Sequence, residues 1–199
     1  MTALPHPLVR VERVEVAGTN AWVVGDDDEC VVIDAPPGAA TAIAAAVGGR
    51  RVHGILCTHG HVAHIASALT LSDITAADVF LHPGDYGPWR EVFPTRWPEG
   101  VLMDGITFDV GTARLVGIHV PGHTEGGMCW YAEALGSVFT GDSLAADGAG
   151  RGLPPAQRTR LVSAVRARLF TLPPLTMIRP GHGPDGRIGT VRWARDSWT

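Results

Sequence analysis

The chain contains no lysine, so all sixteen of its basic residues are arginine. Lysine Schiff-base chemistry and a lysine nucleophile are therefore excluded. Cysteine is scarce too: Cys30, Cys57 and Cys129 are far apart, odd in number and each set in an apolar stretch. That usage points to buried reduced thiols rather than a disulfide framework. No apolar run reaches the roughly 18 residues of a membrane helix, because the Ala-rich stretch 35–49 is broken by Pro36, Pro37, Gly38 and Gly48. The opening MTALPHPLVRVERV lacks a charged start followed by an apolar segment, so no export signal is expected and the location expected is cytoplasmic. With 45% hydrophobic and 18% charged residues, the 199 residues read as one soluble domain, 1–199, with a sizeable core.

The net charge of -4 is unevenly spread, since residues 1–150 hold 7 Arg against 18 acids and residues 151–199 hold 9 Arg against 2 acids. The overall balance argues against a nucleic-acid partner, while the basic last quarter suits an anionic small molecule. The arginines of 158–168 are expected either to pair with the acidic turn at 26–29 or to hold an anionic thiol carrier. Nothing in the sequence bears on oligomeric state.

Alternating apolar residues predict strands at 8–16, 20–24 and 30–33, a helix at 39–47, a strand at 52–57 and a helix over 62–72. A strand at 78–81 precedes a long connection, 82–105, rich in Pro, Gly and aromatics. Strands follow at 106–110, 114–120, 127–132 and 136–140, then a helix at 156–169 and a strand at 175–179. This order suggests two sheets packed face to face with helices outside.

Three of nine histidines fall within Thr58-His59-Gly60-His61-Val62-Ala63-His64, directly after an apolar strand. In extended chain His59 and His61 share a side, and His64 follows at the first turn of a helix, so three imidazoles can converge on one point or on two adjacent points. Two more histidines occupy matching turns, Pro121-Gly122-His123-Thr124 and Pro180-Gly181-His182-Gly183, and Asp142 sits in Thr140-Gly141-Asp142 after another strand. Five histidines and one aspartate at strand ends suit one or two transition metals, and the absence of thiolate favours Zn(II), Fe(II) or Mn(II). His6, His53, His82 and His119 stand alone and are read as surface or satisfied core residues.

These four motifs, in this order, resemble the metallo-β-lactamase fold superfamily and within it the short glyoxalase II-like hydrolases. The resemblance implies an α/β fold, an αββα sandwich, with His59, His61 and His123 on a first metal, His64 and His182 on a second, and Asp142 bridging both. It further implies hydrolysis of a thioester or related ester-like bond by a metal-bound hydroxide, with one or two zinc ions as cofactor. One position departs: the family motif HxHxDH has its aspartate, a second-metal ligand and partner of the nucleophilic water, where this chain has Ala63. Three explanations follow: a one-metal protein, a non-catalytic metal- or ligand-binding member, or an engineered Asp→Ala variant of an otherwise intact site. Activity is expected to be much weaker than with aspartate there.

A second enzyme reading comes from persulfide dioxygenases, which this chain also resembles and which would place a single iron on His59, His123 and Asp142. A true β-lactamase is less expected, given the short chain and the lack of an export signal. For the substrate, Tyr86, Trp89 and Trp97 are expected to cover the metals, with Arg90 or Arg96 meeting a carboxylate; the alternative is that these aromatics fill a small core of their own. Full-length glyoxalase II proteins carry a basic C-terminal extension that holds glutathione. This chain ends soon after His182, so glutathione is not expected, and the alternatives are another thiol carrier, an acyl-carrier thioester or a non-thioester substrate.

Overall fold

The computed structural model describes residues 8–150 and 152–194. Residues 1–7, which include His6 and the first half of the segment read for an export signal, lie outside them. Strands β1 (Arg10–Val16), β2 (Thr19–Gly25) and β3 (Glu29–Ile33) form an antiparallel meander. Helix α1 (Ala40–Val47) crosses over to β4 (Arg51–Leu56), parallel to β3, and α2 (Val62–Ile65) with α3 (Ala68–Thr75) leads to β5 (Val79–Leu81). Two helices stand where one was expected over 62–72, because Ala35 intrudes: its N–H donates to His64 O at 2.7 Å and its carbonyl accepts from Ser67 N–H at 2.9 Å. Both groups are thereby taken out of the helical ladder.

The connection 82–105 is not a plain loop. It holds a 3-10 turn at Pro83–Asp85, a helix α4 (Tyr86–Val92) and a short strand β6 (Gly100–Val101) parallel to β5. Gly87 and Pro88 disguise the helix in sequence, yet a proline in a first helical turn sacrifices no hydrogen bond.

The second sheet repeats the plan of the first. Strands β7 (Thr107–Val110), β8 (Ala113–His119), β9 (Met128–Ala132) and β10 (Ser137–Gly141) form a meander, and α5 (Pro155–Arg168) crosses to β11 (Met177–Pro180), parallel to β10. Strand β12 (Gly186–Arg187) and helix α6 (Ile188–Trp193), neither foreseen, complete the layer. The sheets run β1-β2-β3-β4-β5-β6 and β12-β11-β10-β9-β8-β7.

Period-two alternation divides each central strand between two cores. From β2 and β3, Ala21, Val23, Cys30 and Val32 face α1 and α3, whereas Trp22, Val24, Val31 and Ile33 face the other sheet. From β9 and β10, Cys129 and Val138 pack with Leu161 and Val165 of α5, while Met128, Trp130 and Phe139 fill the space between the sheets. The result is the αββα sandwich. All three cysteines are buried and free, and burial pushes their thiols up, Cys30 to about 11 and Cys129 to about 12.

The arginines of α5 do not meet the turn at 26–29. Asp26 Oδ1 accepts from Asp28 and Glu29 N–H at 2.9 and 3.0 Å, and Asp27 pairs with Arg10, so that turn is satisfied locally. Arg160 pairs with Glu125, and Arg168 with Asp104 at 2.6 Å. No helix among the described residues is long and apolar enough to cross a membrane.

Candidate metal centre

The sandwich brings the carboxyl ends of β3, β4, β10 and β11 and the β8–β9 loop to one edge, and the five histidines and Asp142 gather there. His59, His61 and His123 offer ring nitrogens within 4.8 Å of one another, as do His59, His64 and Asp142 for their nitrogens and carboxylate oxygen. His61 Nδ1 lies 3.1 Å from His123 Nε2, and His64 Nε2 lies 3.2 Å from His182 Nε2. Asp142 stands between these pairs. Its Oδ2 is 3.5 Å from both His123 Nε2 and His182 Nε2 and 3.9 Å from His59 Nε2, and its Oδ1 is 3.4 Å from His64 Nε2.

Residues fit a metal only if their free nitrogens point inward, and the hydrogen bonds behind the rings fix this. Thr58 Oγ1 donates to Asp34 Oδ2 at 2.8 Å, so toward His59 Nδ1, at 3.1 Å, it acts as acceptor. His59 thus carries its proton on Nδ1, and its Nε2 is a buried atom with no protein partner. Such an orphan is costly in a core but correct for a metal ligand. Asp34 Oδ2 likewise accepts from His64 Nδ1 at 2.7 Å, and Gly18 O accepts from His182 Nδ1 at 3.0 Å. Three of five rings are therefore presented through Nε2.

Electrostatics agree with this division. Burial lowers the pKa of His59 well below the ordinary histidine value, and neighbouring imidazoles add to it. Burial also lowers His123, with Asp142 only partly opposing. Both rings are neutral near pH 7, the form that binds metal. Burial opposes charge on His64, but Asp34 and Asp142 outweigh it and raise the ring to about 10, so metal binding there displaces a proton. Burial raises Asp142, yet His64 and the other imidazoles outweigh it and hold the carboxylate below its usual range.

Ala63 lies on α2 between His61 and His64, half-buried, and offers no oxygen. The second group expected from the resemblance is accordingly left with His64, His182 and Asp142.

In the aromatic segment, Trp89 takes the second of the two expected places, a core of its own, and not a cover over the metals. Trp89 is fully buried, its Nε1 donates to Arg96 O at 2.8 Å, and it packs on Phe93 in the core under the first sheet. As Tyr86, Trp89 and Phe93 recur at helical spacing, the helix turns them into that core, and Trp89 has no surface left for a ligand. Tyr86 meets Trp97 edge-on at 5.4 Å, Arg90 lies over Trp97 at 5.5 Å, and Arg96 pairs with Asp73 at 2.7 Å. The cavity beside the ligands, about 170 Å³, is instead walled by Ala145, Asp147, Gly148 and Gly150 opposite His123, Asp142 and His182.

Several residues of this centre went unread in the sequence. Asp34, 1% exposed with a left-handed φ of 63°, stands just after the strand expected at 30–33 with no motif around it. Asn20 ties the His182 turn to the other sheet, its Nδ2 donating to Pro180 O and Gly183 O at 3.0 Å. No local pattern announces either contact, since each spans the chain. Gly122 precedes His123 for a steric reason: at φ 137° it crosses the backbone of Leu161 so closely that any Cβ would collide with that residue's N and Cα. Gly122→Ala is expected to destabilise the fold by at least about 1–3 kcal/mol through backbone strain alone and to misplace His123; urea unfolding and metal titration of the variant check both.

An αββα sandwich with a His/Asp cluster at its strand ends defines a class of metal-binding, hydrolase-like proteins. The chain belongs to the metallo-beta-lactamase superfamily, whose family model matches residues 14–182. A protein of Aquifex aeolicus is 30% identical over 93% of this chain and 94% of its own. The hydroxyacylglutathione hydrolase of Fuscovulum blasticum is 33% identical over 82% of this chain but only 60% of its own length. Among solved structures, TTHA1623 in a di-iron-bound form superposes with a TM-score of 0.74 at 27% identity, covering 92% of this chain and 96% of that one.

Proposed function

We propose that this chain is a metal-dependent hydrolase acting on a thioester or related ester-like bond of a small-molecule substrate. The observation that carries the reading is the Asp142 carboxylate set 3.4 to 3.9 Å from four imidazole nitrogens presented by two converging groups. A divalent metal held by those groups supplies Lewis acidity toward a carbonyl oxygen and an activated water near neutral pH, which is why no Ser or Cys nucleophile is required. His59, neutral and locked by Thr58, with His61 and His123 would hold one ion, and His64 and His182 with Asp142 would hold a second. Asp142, ionised and beside the cavity, orients the attacking water by accepting from it. The small side chains at 145, 148 and 150 leave room for an acyl group against the ligands.

The relationship to the Fuscovulum hydrolase supports the reaction type. Its named substrate does not follow, because this chain spans only 60% of that protein. Metal analysis of the purified chain, with turnover on thioesters, lactones and persulfides, tests the proposal. Zinc with thioester or lactone hydrolysis, abolished by chelation and restored by metal, is the expected result; a chain hydrolysing none of these with metal bound would sink it. One observation favours a second reading: His59, His123 and Asp142 form a set that Ala63 leaves whole. Iron at about one per chain, with oxygen consumed in the presence of persulfide, would select the dioxygenase reading.

A further inference from the structure

We infer that Asp85 is a positioning residue of the metal centre, setting the distance between His61 and His123 by tying together the two loops that carry them. The loops come from different sheets: residues 57–61 follow β4, and residues 120–127 join β8 to β9. Asp85 belongs to neither. It sits on the 3-10 turn after β5, its carboxylate 1% exposed between them.

All its side-chain partners lie on those loops. Asp85 Oδ2 accepts from Gly60 N–H at 2.8 Å and from the Thr124 hydroxyl at 2.7 Å, and Oδ1 accepts from Gly126 N–H at 2.8 Å. Gly60 separates His59 from His61, and Thr124 follows His123. The approach is close enough that a Cβ on Gly126 would lie 2.8 Å from Asp85 Cγ, and one on Gly60 2.8 Å from Asp85 O. A buried carboxylate met by three donors is the group for this junction. An amide would turn its own N–H groups on at least one of them.

The other ligands are oriented ring by ring, through Thr58, Asp34 and Gly18. Among the described residues, the ring nitrogens of His61 and His123 that face away from each other have no protein partner. What holds these two imidazoles 3.1 Å apart is therefore the backbone of their loops, and Asp85 joins those backbones. The inference rests on the metal-binding part of the proposed function and not on any substrate.

The test is cobalt(II) titration of the full chain, followed by visible absorption and by competition with a chelator, for wild type, D85N, T124V and T124S. H61A and H182A serve as spectral references for loss of one ligand from either group. The thermal midpoint of each metal-free protein separates general destabilisation from positioning. D85N is expected to bind the ion of the His59/His61/His123 group about 10–100-fold more weakly, the range for partners that orient metal ligands, with an absorption altered as in H61A and not as in H182A. T124V is expected to show a smaller loss of the same kind, and T124S, which restores the hydroxyl, to return to wild type. If D85N does not fold, the Thr124 pair decides by the same readouts. Wild-type affinity and absorption in D85N, or equal behaviour of T124V and T124S, would overturn the role. A wild-type chain that takes up no cobalt would overturn the metal reading, and this inference with it.

Discussion

Replacing Ala63 by aspartate is expected to raise the hydrolytic turnover of this chain by about 10²–10⁴-fold, the range typical of a positioned acid–base group, and to tighten the second metal by about 10–100-fold. The place is prepared for it: residue 63 lies in the first turn of α2, between His61 and His64. An acidic side chain in a first helical turn is favoured by the helix dipole, so the substitution carries little penalty in folding. As the chain stands, the group of His64, His182 and Asp142 has two imidazoles and one carboxylate that it shares with the first group. A63D would add an oxygen donor and a proton acceptor at once. Side-by-side measurement of kcat, KM and metal stoichiometry checks the expectation, and equal rates and stoichiometry in the two proteins would show that position 63 has no part in the chemistry.

Asp34→Asn should nearly dismantle the second group while leaving the backbone in place. Asp34 accepts from Thr58 N–H at 2.7 Å, from the Thr58 hydroxyl at 2.8 Å and from His64 Nδ1 at 2.7 Å, with 1% exposure. The asparagine carbonyl can keep Thr58 N–H, but its amide then faces His64 and the Thr58 hydroxyl as a donor. His64 responds by accepting at Nδ1, which moves its proton to Nε2, the atom 3.2 Å from His182 Nε2. A nitrogen carrying a proton is not a ligand, so the ion bound there is expected to weaken by about 100-fold, the upper end for such partners. The charge that outweighs burial at His64 is lost as well. Breaking a buried charged pair costs about 3–5 kcal/mol. Asp34→Ala should cost about 1–2 kcal/mol more, because φ is 63° and alanine tolerates the left-handed region less well than asparagine. Denaturant unfolding compares the three proteins, and chelator competition reads the metal; a D34N chain with wild-type affinity would remove Asp34 from the account.

The two substitutions bracket what could be read in advance. Ala63 stands inside a local motif, so its departure was visible in seven consecutive residues. Asp34 acts across thirty residues of sequence, and nothing near it distinguishes it from any aspartate that ends a strand. Asp85 is the same case, since its partners lie at 60, 124 and 126. Trp89 could not be placed from the sequence for a different reason. Gly87 and Pro88 broke the apparent pattern, and the helical spacing of Tyr86, Trp89 and Phe93 became meaningful only once α4 was seen packing under the first sheet.

By itself the sequence determined the alternating strands, the two-sheet layering and a set of six candidate metal-binding residues, because side-chain periodicity and clustered imidazoles are local properties that survive in one dimension. Tertiary structure alone decided which nitrogen each histidine presents, where Asp142 stands between the groups, and that Trp89 belongs to the core rather than to a ligand. Those outcomes depend on groups from distant strands meeting at a sheet edge. A buried donor must find its acceptor wherever the fold places it, not where the sequence does.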